Sequence, residues 1–285
     1  MALFGRDKTS VGLDIGSGFI KLVQVDHSGD QPEVKRVAMR PLLPDTIVEG
    51  EIMDYTLVAD TLAGLFQELG LKGVDVITAV GGHDVIIKKI EIERMKESDA
   101  REVIPWHAEQ HVPFDIKSVE LDFQILDPEG DGVNMDVLLV AAKRELVENR
   151  VTLISDAGLN ASVIDVDAFA LNNALQHNYP ESMEGTVALV NIGHEVTNVN
   201  ILEDGVPILT RDVPFGSRRV REDLQRERGL TAEEAEEVVQ GRSDVTDLDQ
   251  LVMSAADEVG VGIERAAAFL MTRQSGEGLG RIYIS

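Results

Sequence analysis

Two short stretches carry residue types that can hold phosphate. Asp14-Ile15-Gly16-Ser17-Gly18 and Asn191-Ile192-Gly193-His194-Glu195-Val196-Thr197-Asn198 each follow an apolar run and precede another. Glycine in such a turn lets backbone N–H groups approach an anion closely. The hydroxyls of Ser17 and Thr197 add donors, and Lys21 beyond the first turn supplies positive charge. Asp14, at a strand end, can hold a Mg²⁺ ion through one of its waters. Two such turns facing each other would clamp a triphosphate from both sides, and their duplication argues against ordinary surface turns.

Other candidates are weaker. His107 and His111 are four residues apart with Glu109 between them, a spacing that can bind a metal on a helix. Pro105 and the lack of a third ligand favour a solvated or partner-facing surface. His194 reads as a turn residue. Asp165 and Asp167 flank Val166, and Asp167 reads as the cap of the following helix. Trp106, the sole tryptophan, reads equally as a packing anchor or a partner contact. Glu233, Glu234, Glu236 and Glu237 read as a solvated helix face.

The elements that must position the two turns follow from hydrophobic periodicity. Val11 to Ile15 and Ile20 to Val25 predict a hairpin, and Val34 to Met39 a third strand. Thr56 to Leu69 predicts a helix with Leu57, Val58, Leu62, Leu65, Phe66 and Leu69 on one face, stopped by Gly70. Val74 to Val80 and Val85 to Ile92 predict strands. A polar helix over 98–111, strands at Val119 to Leu126 and Met135 to Ala142, a helix from Arg144 to Ala157 and a strand at Val163 to Val166 follow. Thr186 to Ile192 and Val196 to Leu202 predict the second hairpin, with Val206 to Val213 pairing next. Arg218 to Arg228 is a charged helix, and Thr231 with Glu234 opens another through a capping box. A long amphipathic helix is expected from Thr246 to Gln274. A loop containing Gly276, Gly278 and Gly280 and a strand from Arg281 close the chain. The alternation of strands and helices with mixed connections makes the class α/β.

Composition bounds the function. The chain has 285 residues and a formal net charge of -25, from 51 acidic and 26 basic side chains. Such a surface repels nucleic acid and anionic lipid; it reads as a solubility device or a sign of a salt- or heat-adapted host. There is no cysteine, hence no thiolate site and no disulfide framework. No apolar run approaches the roughly 20 residues that span a bilayer. The first residues, Met1 to Arg6, lack a signal-peptide core. A cytoplasmic location is expected.

The two turns resemble the phosphate motifs of the superfamily that includes actin, Hsp70 and the sugar kinases. The wider sequence is similar to the PilM family of type IV pilus assembly proteins, relatives of the division protein FtsA. The stretches that carry this are Val11 to Val25, Ala108-Glu109-Gln110-His111-Val112-Pro113-Phe114, Leu121 to Leu126, Val137 to Lys143, Ala157-Gly158-Leu159, Asp165 to Leu171, Asn191-Ile192-Gly193 and Thr210 to Gly216. The resemblance implies an actin-like (RNase H-like) two-domain fold, C-terminally incomplete. Residues 1–92 with 163–185 would form the first domain and 186–285 the second, with a helical subdomain at about 214–275. An inserted SHS2-type subdomain at 93–162 would be of the FtsA and PilM kind. It implies ATP and Mg²⁺ as ligands, with Asp14, Gly16, Ser17, Gly18, Lys21, Asn191, Gly193, Thr197, Asn198 and Gly216 at the site. It also implies an adaptor on the cytoplasmic face of the inner membrane, held there through partners. The partners would be the N-terminal tail of a PilN-like membrane protein, gripped between first subdomain and insert, and other pilus assembly proteins of twitching motility.

Three departures shift the expectation from catalysis to scaffolding. Asn191 stands where the family's second motif commonly has Asp, removing a charge that orients an attacking water. Val239 stands at a lysine position near the nucleoside. The sequence stops at Ser285, before the glycine-rich turn that would lie under an adenine ring. Weak or absent ATP hydrolysis is therefore expected. The competing readings are an FtsA-like division adaptor and a sugar-kinase-type enzyme.

Overall fold

The computed structural model describes residues 9–243, 248–270 and 278–285. The N-terminal hexapeptide, both expected ends of the long helix and Gly276 lie outside them. In chain order the elements are β1 (Thr9–Ile15), β2 (Phe19–Asp26), β3 (Glu33–Pro41), β4 (Ile47–Val48), β5 (Glu51–Ile52), α1 (Tyr55–Glu68), β6 (Asp75–Val80), β7 (Val85–Glu93), α2 (Glu97–Ala108), β8 (Val119–Ile125), β9 (Asn134–Lys143) and α3 (Arg144–Asp156). Next come β10 (Asn160–Val166), α4 (Asp167–Asn178), β11 (Thr186–Ile192), β12 (Thr197–Glu203), β13 (Val206–Val213), α5 (Ser217–Arg228), α6 (Ala232–Val239), α7 (Asp249–Leu270) and β14 (Arg281–Ile284). The chain divides into two compact units, one ending at Ala170 and the other beginning at Leu171.

The first unit is built on a five-stranded sheet in the order β10-β6-β1-β2-β3. Strand alternation sends Val11, Leu13 and Ile15 of β1 and Ile20 and Leu22 of β2 to one face, where they are buried. Register reinforces this, since Leu13 pairs with Leu22 and Ile15 with Ile20. α1 covers that face because Val58, Leu62, Leu65 and Phe66 recur at helical spacing. Asp54 caps α1 by accepting from the Leu57 N–H at 3.0 Å. Gly70 follows at φ +68, a conformation that favours glycine. Leu153 and Ile154 of α3 complete the same core.

A separate three-stranded antiparallel sheet, β7-β9-β8, branches from this unit. Its core is made by Ile90 and Ile92, Met135, Val137, Leu139 and Ala141, and Ala100, Ile104 and Ala108 of α2. The expected insert spanned 93–162. Pairing places all of β7 in the three-stranded sheet, while β10 runs parallel to β6 in the five-stranded one. α3 shares its core with α1 because its two buried residues face that way.

The second unit repeats the logic of the first. β11, β12 and β13 form an antiparallel meander, and β14 lies parallel beside β11 just as β6 lies beside β1. α7 packs on one face through Val259, Ala266 and Leu270 against Ala188, Val190, Val199 and Ile201. Gly262 permits this approach, since a Cβ there would lie 2.5 Å from Val213 Cγ2. On the opposite face Leu171 and Leu175 of α4 meet Leu189, Leu202 and Tyr283. Among the described residues no helix is long and apolar enough to cross a membrane.

Leu62 is fully buried between α1 and the five-stranded sheet. Leu62→Ala should cost about 2–5 kcal/mol of unfolding free energy, by lost transfer energy plus an unfilled cavity. Urea denaturation followed by circular dichroism checks this as a lowered midpoint for the first unit.

Candidate functional site

The two glycine turns close in the same way. The Gly16 N–H donates to the Phe19 carbonyl at 3.1 Å, and the Gly193 N–H to the Val196 carbonyl at 3.0 Å. Each turn therefore joins two strands whose last residues are held in register. In the first, Asp14 pairs across the strands with Lys21; in the second, Asn191 pairs with Asn198. The repeat is thus visible at the level of single side chains.

The chemistry at the equivalent positions differs. Asp14 and Lys21 form an ion pair at 3.0 Å with both side chains about half exposed. Asn191 instead belongs to a side-chain ladder that runs from Ser285, just past β14, to the Asp212 carboxylate on β13. Ser285 Oγ donates to Asn191 Oδ1 at 3.2 Å, Asn191 Nδ2 to Asn198 Oδ1 at 3.3 Å, and Asn198 Nδ2 to Asp212 Oδ1 at 2.6 Å. Asn191 and Asn198, expected at a phosphate site, spend these polar atoms on holding β14, β11, β12 and β13 together.

Thr197 departs from its expected role as a phosphate donor. Its side chain is fully buried, and its hydroxyl donates to the Phe215 carbonyl at 2.8 Å. A buried hydroxyl keeps the strongest acceptor within reach, so it fastens β12 to the segment before α5. Gly216, the N-cap of α5, is glycine because a Cβ there would collide with the His194 carbonyl and the Glu195 nitrogen. The first N–H groups of α5 are also taken: Ser217 donates to the Gly193 carbonyl at 2.9 Å and Arg218 to that of His194 at 2.8 Å. The second turn is therefore clamped onto a helix start. At Gly193 a Cβ would stand 2.6 Å from the Val196 carbonyl oxygen, so only glycine closes this turn. Gly16, Ser17 and Gly18 form the first turn, with the Gly18 carbonyl accepting from the Leu42 N–H at 2.9 Å.

His194 sits over α5. Its pKa is held below the usual value, first by burial and then by the nearby Arg221 and Arg218, against the pull of Glu195 and Glu236. Arg218 bridges Glu195 at 2.8 Å and Glu222 at 2.9 Å. Glu236, expected on a solvated face, pairs with Arg221 at 3.1 Å, and both are partly buried. Glu234 completes the predicted capping box with Thr231.

The remaining candidates separate. α2 ends at Ala108, so His107 lies in its last turn and His111 beyond it. No group of three or more histidine, cysteine, aspartate or glutamate side chains suited to a metal occurs among the described residues. Trp106 is 71 % exposed, which excludes the packing role. Asp167 lies in the first turn of α4, where its charge complements the helix dipole. Phe114, from the Val112-Pro113-Phe114 run, lies beneath Lys143 Nζ at 4.9 Å. Lys143 also pairs with Asp84 at 2.6 Å, tying together the two crossings between the insert and the five-stranded sheet.

Arg150 escaped the sequence reading. It lies mid-helix in α3 with its Nη1 fully enclosed and without a hydrogen-bond partner. The signal in the sequence was small: one arginine on a helix whose neighbouring Leu153 and Ile154 are core.

A duplicated meander with a parallel fourth strand and matched glycine turns defines an actin-like fold, the class shared by nucleotide-dependent scaffolds and kinases. The chain belongs to the family described as type IV pilus assembly protein PilM, whose sequence profile matches residues 12–285. A solved structure of a PilM-PilN type IV pilus biogenesis complex aligns with 97 % of this chain and 81 % of that chain, at 27 % identity and a TM-score of 0.79. The ethanolamine utilization protein EutJ from Carboxydothermus hydrogenoformans shares the fold at 18 % identity and a TM-score of 0.51, over 97 % of this chain and 76 % of its own. Cell division protein FtsA of Bacillus subtilis (strain 168) is 23 % identical over 252 residues, 80 % of this chain. The chain spans about half, 56 %, of the length of FtsA.

Two outcomes follow from the second turn. Gly216→Ala should lower stability by about 1–3 kcal/mol through overpacking against the His194 carbonyl, read as a lower thermal midpoint. The depressed pKa of His194 means that the unfolded chain takes up this proton first, near the ordinary value of about 6.5. Stability should therefore fall as pH drops through that value and below, and His111, also held low by burial, adds in the same sense. His194→Gln should lose less of its thermal midpoint than the unmodified chain between pH 7.5 and about 5.5.

Proposed function

We propose that this chain is an assembly adaptor of the type IV pilus. In this reading it binds a nucleotide at the turns Asp14 to Gly18 and Asn191 to Asn198, and it grips the N-terminal tail of a PilN-like inner-membrane protein. The observation that carries this is the similarity of nearly the whole chain to the solved PilM-PilN complex. The inserted three-stranded sheet, with Phe114 and the Asp84–Lys143 pair at its junction, supports the placement of a tail beside it. A surface of net charge -25 attracts a cationic segment and steers its association. The chain would then work in the cytoplasm and reach the membrane through its partner and other pilus assembly proteins. Division by an FtsA-like route has thinner support, given the lower identity and the shorter share of FtsA covered.

The site favours binding over hydrolysis. Asn191 carries no charge and is engaged with Asn198 and Ser285. Thr197 faces inward to Phe215. What remains toward a ligand at the second turn is backbone, while the first turn keeps Asp14, Ser17 and Lys21. The second turn acts as a frame held in one shape rather than as a source of catalytic groups.

The purified chain should bind a synthetic peptide of the N-terminal tail of a PilN-like protein with 1:1 stoichiometry in isothermal titration calorimetry. ATP should bind without ready turnover in a phosphate-release assay. Failure to bind the tail, together with phosphorylation of a small sugar, would replace the adaptor reading by a kinase.

A further inference from the structure

β8 is an edge strand of the insert, whose sheet has the order β7-β9-β8. An edge strand presents unpaired backbone N–H and C=O groups, a ready template for another strand. Which residues present them follows from one bond. The Leu126 N–H donates to the Asp136 carbonyl at 2.9 Å, so Leu126 turns its backbone toward β9. In an antiparallel pair this direction alternates from residue to residue, so the N–H and C=O of Ile125 and Phe123 point to the open side. The Phe123 N–H is held there by a local acceptor, Asp122 Oδ1 at 2.9 Å. A carboxylate thus fills, from within the chain, the role of an added strand's carbonyl.

Beside this edge lies a cleft of about 580 Å³ between β8 and the start of α2. Its apolar wall is Met95, Phe123, Ile125, Pro128 and the buried Met135. Strand alternation explains two of these, since Phe123 and Ile125 both face the core of the insert beneath α2. One wall is pinned, because Arg94 donates to the carbonyls of Asp127, Gly132 and Asn134. The cleft lies at the Glu93–Asn134 end of the insert, opposite the Asp84–Lys143 junction. The charges at its mouth are unequal. Arg94 pairs with Asp127, and Glu97 with Arg101 at 3.0 Å. Lys96 pairs with no carboxylate among the described residues. It is the N-cap of α2 and makes no side-chain capping bond, so it adds its charge to the positive end of the helix dipole. In a chain of net charge -25, the mouth of this cleft is locally cationic.

We propose that the open edge of β8 and this cleft together dock an extended, acidic segment of a partner protein. The segment adds a strand beside β8 through the backbone of Phe123 and Ile125. One of its large apolar side chains fills the cleft. Two residues away, on the same face of the added strand, a carboxylate stands against Lys96. A helix would leave the edge's backbone groups unused, and a basic segment would be repelled by Lys96. The occupant is therefore opposite in charge to the cationic segment read at the junction, and its site does not depend on that reading.

The test selects a phage-displayed library of random peptides on the full chain. Enriched peptides are synthesised and titrated by fluorescence polarisation against the unmodified chain, Lys96→Glu and Ile125→Pro. Because the Ile125 N–H points away from β9, proline there removes a bond to the added strand and none to the sheet. Enriched peptides should carry a large apolar residue and an acid two positions away. Each of the two substitutions should weaken their binding about threefold or more. Amide hydrogen exchange over residues 121–126 should slow when the peptide binds. No enriched peptide with this pattern, or binding indifferent to Lys96→Glu, overturns the proposal. So does unchanged exchange along β8, which would mark a site without strand addition. Where Ile125→Pro does not fold, the exchange measurement on the unmodified chain decides the strand addition.

Discussion

Backbone pairing at the two glycine turns is the constraint on which the rest of the molecule depends. Gly16 and Gly193 each donate across a hairpin, and that single bond fixes which residues of the paired strands stand opposite one another. Because side chains alternate along a strand, the register decides at once what goes into the core and what stands at the strand ends. Leu13 opposite Leu22 and Val190 opposite Val199 are consequences of the turns, and so are Asp14 opposite Lys21 and Asn191 opposite Asn198. A slip by one residue would bury Asp14 and expose Leu13.

Equivalent turns have been put to different uses. In the second unit the strand ends are tied by an asparagine ladder that ends on the Asp212 carboxylate, a buried threonine hydroxyl and a helix start whose N–H groups are already bonded. Every polar atom named there has a protein partner, which gives a rigid frame. In the first unit the strand ends carry charges of both signs. The Asp14–Lys21 pair responds to an arriving anion, because the energy of a charge pair changes with its surroundings.

The insert is joined to the five-stranded sheet by two chain crossings, and Asp84 and Lys143 lock them to each other. Within it, Arg94 holds the far end of the β8–β9 hairpin through the carbonyls of Asp127, Gly132 and Asn134. Its own core and its own pinned ends let the subdomain act as one piece. Trp106 on α2 stands exposed on the surface of the insert.

The sequence by itself determined the elements and the family. Period-2 and period-3.6 burial, glycine after helix ends and the Thr231–Glu234 box are local rules, so β1, β2, α1, β11, β12 and α6 were legible within a residue or two. So were the two matched glycine turns, because glycine and polar residues between apolar runs are local signals too. What only the tertiary structure decided depends on residues far apart in the chain. Thr197 looked like a ligand donor until Phe215 was found across from it. Gly216 looked like a phosphate contact, and its reason is the carbonyl of His194. The edges of the insert follow from which sheet β7 and β10 join, and periodicity is blind to pairing partners. Arg150 gave only a small signal, since nothing local to the helix says that the fold will enclose its Nη1.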